Sequence, residues 1–127
     1  MTRQPLQDPP ERAGALHIGN AQDDGVDYRG WFVGSFVRAP DARLTTAVEV
    51  KWGIHPAGDA RPDWNPDTTA STLCLLVQGC FKLHFESQSV TFRRPGDYAV
   101  WGPGIKHRWQ AIEDSVVLTI RWPSAPS

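Results

Sequence analysis

The stretch that most limits how this chain can fold runs Gly96-Asp97-Tyr98-Ala99-Val100-Trp101-Gly102-Pro103-Gly104-Ile105-Lys106-His107-Arg108-Trp109. A turn opens into a short alternating strand, a Pro-Gly turn follows, and His107 starts the next strand. Side chains alternate across a strand, so His107 and Trp109 are expected on one face.

The same grammar extends along the chain from Trp31. Trp31 to Val37 is an apolar run broken by Gly34. From Thr46 to Trp52, Val48, Val50 and Trp52 alternate with Ala47, Glu49 and Lys51. Leu73 to Val77 is continuously apolar, the pattern of a strand buried on both faces. Phe81, Leu83 and Phe85 alternate with Cys80, Lys82 and His84, and strands are expected over Val90 to Arg93, Tyr98 to Trp101, His107 to Ile112 and Val116 to Trp122. In the last of these, Val116, Leu118, Ile120 and Trp122 share a face. Turn residues separate these runs, and no stretch holds a helical period over three turns. Many short strands predict an all-β sandwich or barrel, and closing the sheet removes its edges.

Length and charge bound the rest. A chain of 127 residues fits one domain with a real core. A formal charge of −1 gives no basic excess for nucleic acid or a membrane surface. No apolar run approaches the roughly 20 residues that span a bilayer. Met1 to Pro10 has no apolar signal region, so the expected location is cytoplasmic. Residues 1–28 carry two arginines against five acidic side chains and are expected to form a loose polar arm; residues 29–127 form the barrel. Cys74 and Cys80 lie six strand steps apart, roughly 20 Å on extended chain, so both read as reduced, buried groups.

With these residues in view, Gly96 to Trp109 resembles the second motif of the cupins. Pro56-Ala57-Gly58 and Leu75-Leu76-Val77-Gln78-Gly79 resemble the frame of the first motif. The likeness covers residues 45 to 122 and implies a jelly-roll-like double-stranded β-helix, a fold nearly silent about function. Small cupins with this phrasing are sometimes labelled signal peptidase. The chemistry does not support that label, because the Ser nucleophile and activating Lys of such a peptidase have no recognisable setting here.

In metal-binding cupins two histidines and a glutamate of the first motif join the second-motif histidine on one ion. The family spacing places those three positions near Trp64, near Pro66 and at Thr72, leaving His107 alone of the four. Substitutes are His55 and a carboxylate from Asp59, Asp63 or Asp67. The set His55, His107 and Asp63 would suit one divalent transition metal, iron, zinc or manganese.

Three functions follow as expectations. The first is a small-molecule-binding cupin whose pocket is built from His55, Arg61, Trp64, His107 and Trp109, with Arg61 clamping an anionic group of a small polar or acidic molecule. The second is a mononuclear metal enzyme, an oxygenase or isomerase, using His55 and His107 with Asp63 or Glu49 beside the ion. The third is a structural barrel with no pocket. Glu49 becomes a possible general base if its face lines the cavity, and Tyr98 is a possible general acid. Ser35, Ser71, Ser87 and Ser89 have no histidine at a persuasive spacing for a hydrolytic triad. The resemblance also implies a homodimer, formed through edge strands.

Overall fold

The computed structural model describes residues 15–65 and 69–124. The expectations that fall on residues 1–14, and on Pro66 and Asp67, lie outside the described residues. Among the described residues, nine strands follow a short helical segment: β1 Trp31–Val33, β2 Glu49–His55, β3 Ala60–Arg61, β4 Ser71–Gln78, β5 Phe81–Phe85, β6 Ser89–Phe92, β7 Tyr98–Trp101, β8 His107–Ala111 and β9 Ser115–Trp122. They pair antiparallel into a five-stranded sheet, β1-β2-β9-β4-β7, and a four-stranded sheet, β3-β8-β5-β6. This is the all-β architecture of two antiparallel sheets that the sequence predicts.

The core lies between the sheets. Cys74 and Leu76 of β4, Phe81 and Leu83 of β5, Phe92, Trp101, Ala111 and Val117 form one buried cluster. Leu76 and Leu83 have essentially no exposed surface, and burying each side chain stabilises the fold by about 2 kcal/mol. Gly79 makes the β4–β5 connection possible. Its φ is +104°, and a Cβ there would overlap the Asp114 carbonyl, so only glycine fits. Both cysteines are reduced and buried, as expected.

The five-stranded sheet inverts the usual polarity. Register pairs Val50 with Ile120, Trp52 with Leu118 and Ile54 with Val116; Leu73 and Leu75 continue those rows to Val100 and Tyr98. These apolar residues point away from the barrel, and Tyr98, Val100 and Ile54 are well exposed. The inner face carries Glu49, Lys51 and His55 of β2 and Ser115, Val117, Thr119 and Arg121 of β9, only Val117 of these being apolar. β4 is therefore not buried on both faces: Thr72, Cys74 and Leu76 are buried, while Leu73 and Leu75 are only half-buried. Tyr98 faces outward, which removes it from any interior acid role.

β1 and β2 depart furthest from the sequence reading, which also contains no strand at β3; the other ends shift by a residue or two. β1 ends at Val33, and the chain then continues through a bridge between Gly34 and Leu44 rather than as strand to Val37. β2 runs on to His55, which therefore belongs to the sheet. The described part of the arm is also tied down. Asn20 caps helix α1, Ala21–Asp24, by accepting from the Gln22 and Asp23 amides. A 3-10 turn, Val26–Tyr28, follows, and the Trp52 amide donates to the Gly30 carbonyl at 2.9 Å. This contact fixes the end of the arm on β2 and brings Arg29, with φ +55°, to the barrel mouth. No helix among the described residues is long and apolar enough to cross a membrane.

Candidate functional site

Between the sheets lies a cavity of about 300 Å³. The cross-strand rows of the inner face decide what lines it. One row runs Glu49, Arg121, Thr72, Trp101 across β2, β9, β4 and β7; the next runs Lys51, Thr119, Cys74. From the opposite sheet come Arg61, Trp109, Leu83 and His107, with Arg61 paired directly to Trp109 and Trp109 to Leu83. Arg29, Trp31 and Asn65 complete the wall. A wider cleft of about 630 Å³ adjoins it and shares Arg29, Lys51, His55, Arg61 and Trp109 with the cavity.

The lining is cationic. Arg29, Lys51, Arg61 and Arg121 all reach it. Of these, Arg121 is neutralised: its Nε donates to Glu49 Oε2 at 2.8 Å, while Ser124 Oγ donates to Glu49 Oε1 at 3.0 Å. Arg121 and Lys51 both sit over the Trp31 ring, 4.5 and 5.7 Å from its centroid. Lys51 and Arg61 have no carboxylate partner among the described residues; Arg61 Nε donates only to the Asp63 backbone carbonyl, at 3.3 Å. Burial lowers the proton affinity of Lys51, and Arg121, Arg29 and Arg61 lower it further.

The two histidines are held differently. His55 Nδ1 lies 3.0 Å from Asp59 Oδ2, and its ring packs on Trp109 and Phe81 at centroid distances of 4.3 and 5.4 Å. His107 packs on Trp101 at 4.7 Å, with its Nε2 3.4 Å from the Asn65 side-chain amide. Burial pulls both imidazoles below the ordinary histidine value. Asp59 opposes this at His55; at His107 the Ile105 backbone opposes it, and Arg61 and Arg121 reinforce it. Burial drives the Cys74 thiol up to about 12, so it is no nucleophile near neutrality.

Thr72 Oγ1 and Trp101 Nε1 are buried with no hydrogen-bond partner among the described residues, and His107 Nδ1 is buried with no well-formed hydrogen bond there, the Ile105 backbone being the group that faces its ring. All three belong to residues lining this cavity. Leaving such a group unpaired costs about 1–3 kcal/mol, which a bound polar molecule can return.

His55, Arg61, His107 and Trp109 are thus brought together as the sequence suggests. Trp64 is not part of the cavity. It is 38% exposed and packs under the Arg108 guanidinium at 5.0 Å; its neighbour Asn65 takes the cavity position. Asp63 is exposed and contributes only its carbonyl, to Arg61. Glu49 lies on the inner face, but both its oxygens are engaged by Arg121 and Ser124, which makes it a poor general base. Sequence reasoning did not select Lys51 or Arg29 for the pocket, and it reached Thr72 only as a family ligand position that threonine does not fill.

A metal fits this set poorly. No group of three or more His, Cys, Asp or Glu side chains is gathered to hold an ion among the described residues. The cavity's charged lining is otherwise cationic, which opposes a divalent cation.

The two sheets, their register and the enclosed cavity define a barrel of the cupin fold. Solved structures agree. The chain is similar to KdgF from Halomonas sp., with 22% identity, TM-score 0.58, and 64% of this chain and 74% of that one covered. It is likewise similar to a cupin protein from Bacteroides fragilis, with 23% identity, TM-score 0.54, and coverages of 65% and 70%. A cupin superfamily protein from Desulfitobacterium hafniense aligns at 18% identity, TM-score 0.57, and coverages of 62% and 70%. At these identities the likeness establishes the fold alone. No family model and no curated protein matches the chain.

Proposed function

We propose that this barrel binds a small anionic molecule in its interior cavity. The observation that carries the reading is the meeting, in one space of about 300 Å³, of Lys51 and Arg61, neither with a carboxylate partner among the described residues. Basic groups left without carboxylates attract a carboxylate or similar anion, and the lining residues Thr72, Trp101 and His107 each carry a buried polar atom with no well-formed hydrogen bond among the described residues. The Trp109 and Trp101 rings supply the apolar wall that a ligand's carbon skeleton needs. In this reading Arg61 and Lys51 hold the anionic group. His107, Trp101 and Thr72 contact the polar remainder, and His55, anchored by Asp59, borders the mouth.

The test is thermal unfolding of the full chain with a panel of small mono- and dicarboxylates beside neutral sugars and amides of equal size. Carboxylates are expected to raise the melting temperature selectively; a ligand at 100 times its Kd adds about 2.7 kcal/mol. Equal shifts from neutral compounds, or no shift from any carboxylate, would overturn the reading. Arg61→Ala should remove most of the response.

A further inference from the structure

Lys51 differs from the other two lysines of the chain. There are three lysines, Lys51, Lys82 and Lys106. Lys82 projects from β5 on the side opposite Phe81 and Leu83, and Lys106 is exposed in the turn before β8; only Lys51 lines the cavity. Its same-face neighbour Glu49 is held by Arg121 and Ser124, so no carboxylate pins the Lys51 ammonium among the described residues. The groups sharing the cavity with it are cationic or uncharged: Arg121 and Thr119 from β9, Arg61 from β3, Arg29 from the arm, the Cys74 thiol from β4 and the Trp31 ring; the Asp59 carboxylate lines the adjoining cleft and is engaged by His55. His55 lies on its own strand face. An amine in such a setting releases its proton more readily than an exposed lysine, and the free amine is the nucleophile.

We propose that Lys51 condenses with the carbonyl carbon of a small 2-oxo acid held in this cavity. The inference rests on the anion-binding reading above; Arg61 keeps the carboxylate while Lys51, having given up its proton, turns from holding the anion to attacking the neighbouring carbonyl. The nitrogen lone pair of Lys51 forms a bond to the carbonyl carbon, and the carbonyl π pair moves to oxygen. A proton passes from nitrogen to that oxygen, giving a carbinolamine. The carbinolamine hydroxyl takes up a proton from solvent and leaves as water while the nitrogen lone pair forms the C=N bond, and the resulting iminium returns its N–H proton to solvent. One amine and one oxo acid become one imine and one water, with no change of oxidation state. Thr72 Oγ1, Trp101 Nε1 and His107 Nδ1 are the unpartnered cavity atoms available to the departing oxygen.

The experiment incubates the full chain with pyruvate or 2-oxoglutarate and sodium cyanoborohydride, which reduces an imine to a stable secondary amine. Intact mass and peptide mapping then locate the adduct. Among the lysines, an adduct on Lys51 alone, with Lys82 and Lys106 unmodified, is the expected result once the N-terminal amine has been mapped separately; it should disappear in Lys51→Arg. Labelling should persist to lower pH at Lys51 than at the other two lysines in the unfolded chain. Adducts spread over all three lysines according to exposure, or none on Lys51, overturn the proposal. Melting curves with pyruvate and with lactate, which has the carboxylate but no carbonyl, separate the two levels. If both acids stabilise the protein and no adduct forms, imine formation falls and anion binding stands. If neither stabilises it and no adduct forms, both fall. Because the mapping uses the unsubstituted chain, it does not depend on the variant's folding.

Discussion

Glu49 and Arg121 face each other directly across the β2–β9 ladder, and the Arg121 Nε–H donates to Glu49 Oε2 at 2.8 Å on the inner wall of the barrel. Glu49 is only 8% exposed, so this pair sits largely out of water. Glu49→Gln is expected to cost about 2 kcal/mol of stability by removing a charged hydrogen-bond acceptor. The same change leaves Arg121 unneutralised beside the cavity, so carboxylate affinity should rise. Chemical unfolding and calorimetric titration check the two signs; a variant that loses both stability and affinity would count against the electrostatic reading.

Lys51 sets function against stability. Its folded proton affinity is depressed, so the unfolded chain holds the proton more tightly. Stability from this group therefore rises with pH between the folded value and the ordinary value of 10.5, and at neutral pH the buried charge is a net cost. Lys51→Met should stabilise the chain by about 1 kcal/mol, the low end for replacing a buried charge with an apolar side chain. It should also weaken carboxylate binding roughly tenfold, the loss of one charge-assisted hydrogen bond of about 1.5 kcal/mol. Paired melting and binding curves test both halves.

The histidines predict the acid response. Burial depresses the folded values of His55 and His107, so protons bind preferentially to the unfolded chain as pH falls through 6.5. Their stabilising contribution is fully present above 6.5 and is lost toward each folded value. The melting temperature should fall across this range, and His107→Gln should flatten the slope. A bound carboxylate should reverse part of the trend, because protonated imidazoles add positive charge to the cavity.

The period of these strands was legible in the sequence; their direction was not. β7 lies over Tyr98–Trp101 and β9 ends at Trp122, as turn residues and alternation predict. Alternation alone cannot say that Val50, Trp52, Leu118 and Ile120 turn outward while Lys51 and Arg121 turn inward. The rule that apolar residues face inward fails where the interior is a polar cavity. Family spacing located the cavity better than it identified its chemistry. It pointed to Thr72, which does line the space, and to Trp64, one residue from Asn65, which does too. Trp64 itself turns away because strand side chains and short loops re-aim within one residue, a difference no count along a loop resolves.

The outward apolar rows give the remaining prediction. Val50, Trp52, Ile54, Leu73, Leu75, Leu118, Ile120 and Val100 form a surface with no charge among them, bordered by edge strand β7. A second copy presents the same uncharged rows, so two barrels are expected to pair there. Light scattering should give twice the chain mass, and Ile120→Glu should return a monomer. A monomer from the unsubstituted chain would overturn the expectation.

Because one sheet carries charge on its inner side and hydrocarbon on its outer side, ionic strength should act on its two faces in opposite directions. Added salt screens the attraction between the cationic lining and a carboxylate, while excluded salts such as sulfate strengthen burial of apolar surface. Sulfate would also compete for the lining directly. The barrel should therefore hold its ligand best in dilute buffer and hold its neighbour best in concentrated salt, and one titration can pull the two properties apart.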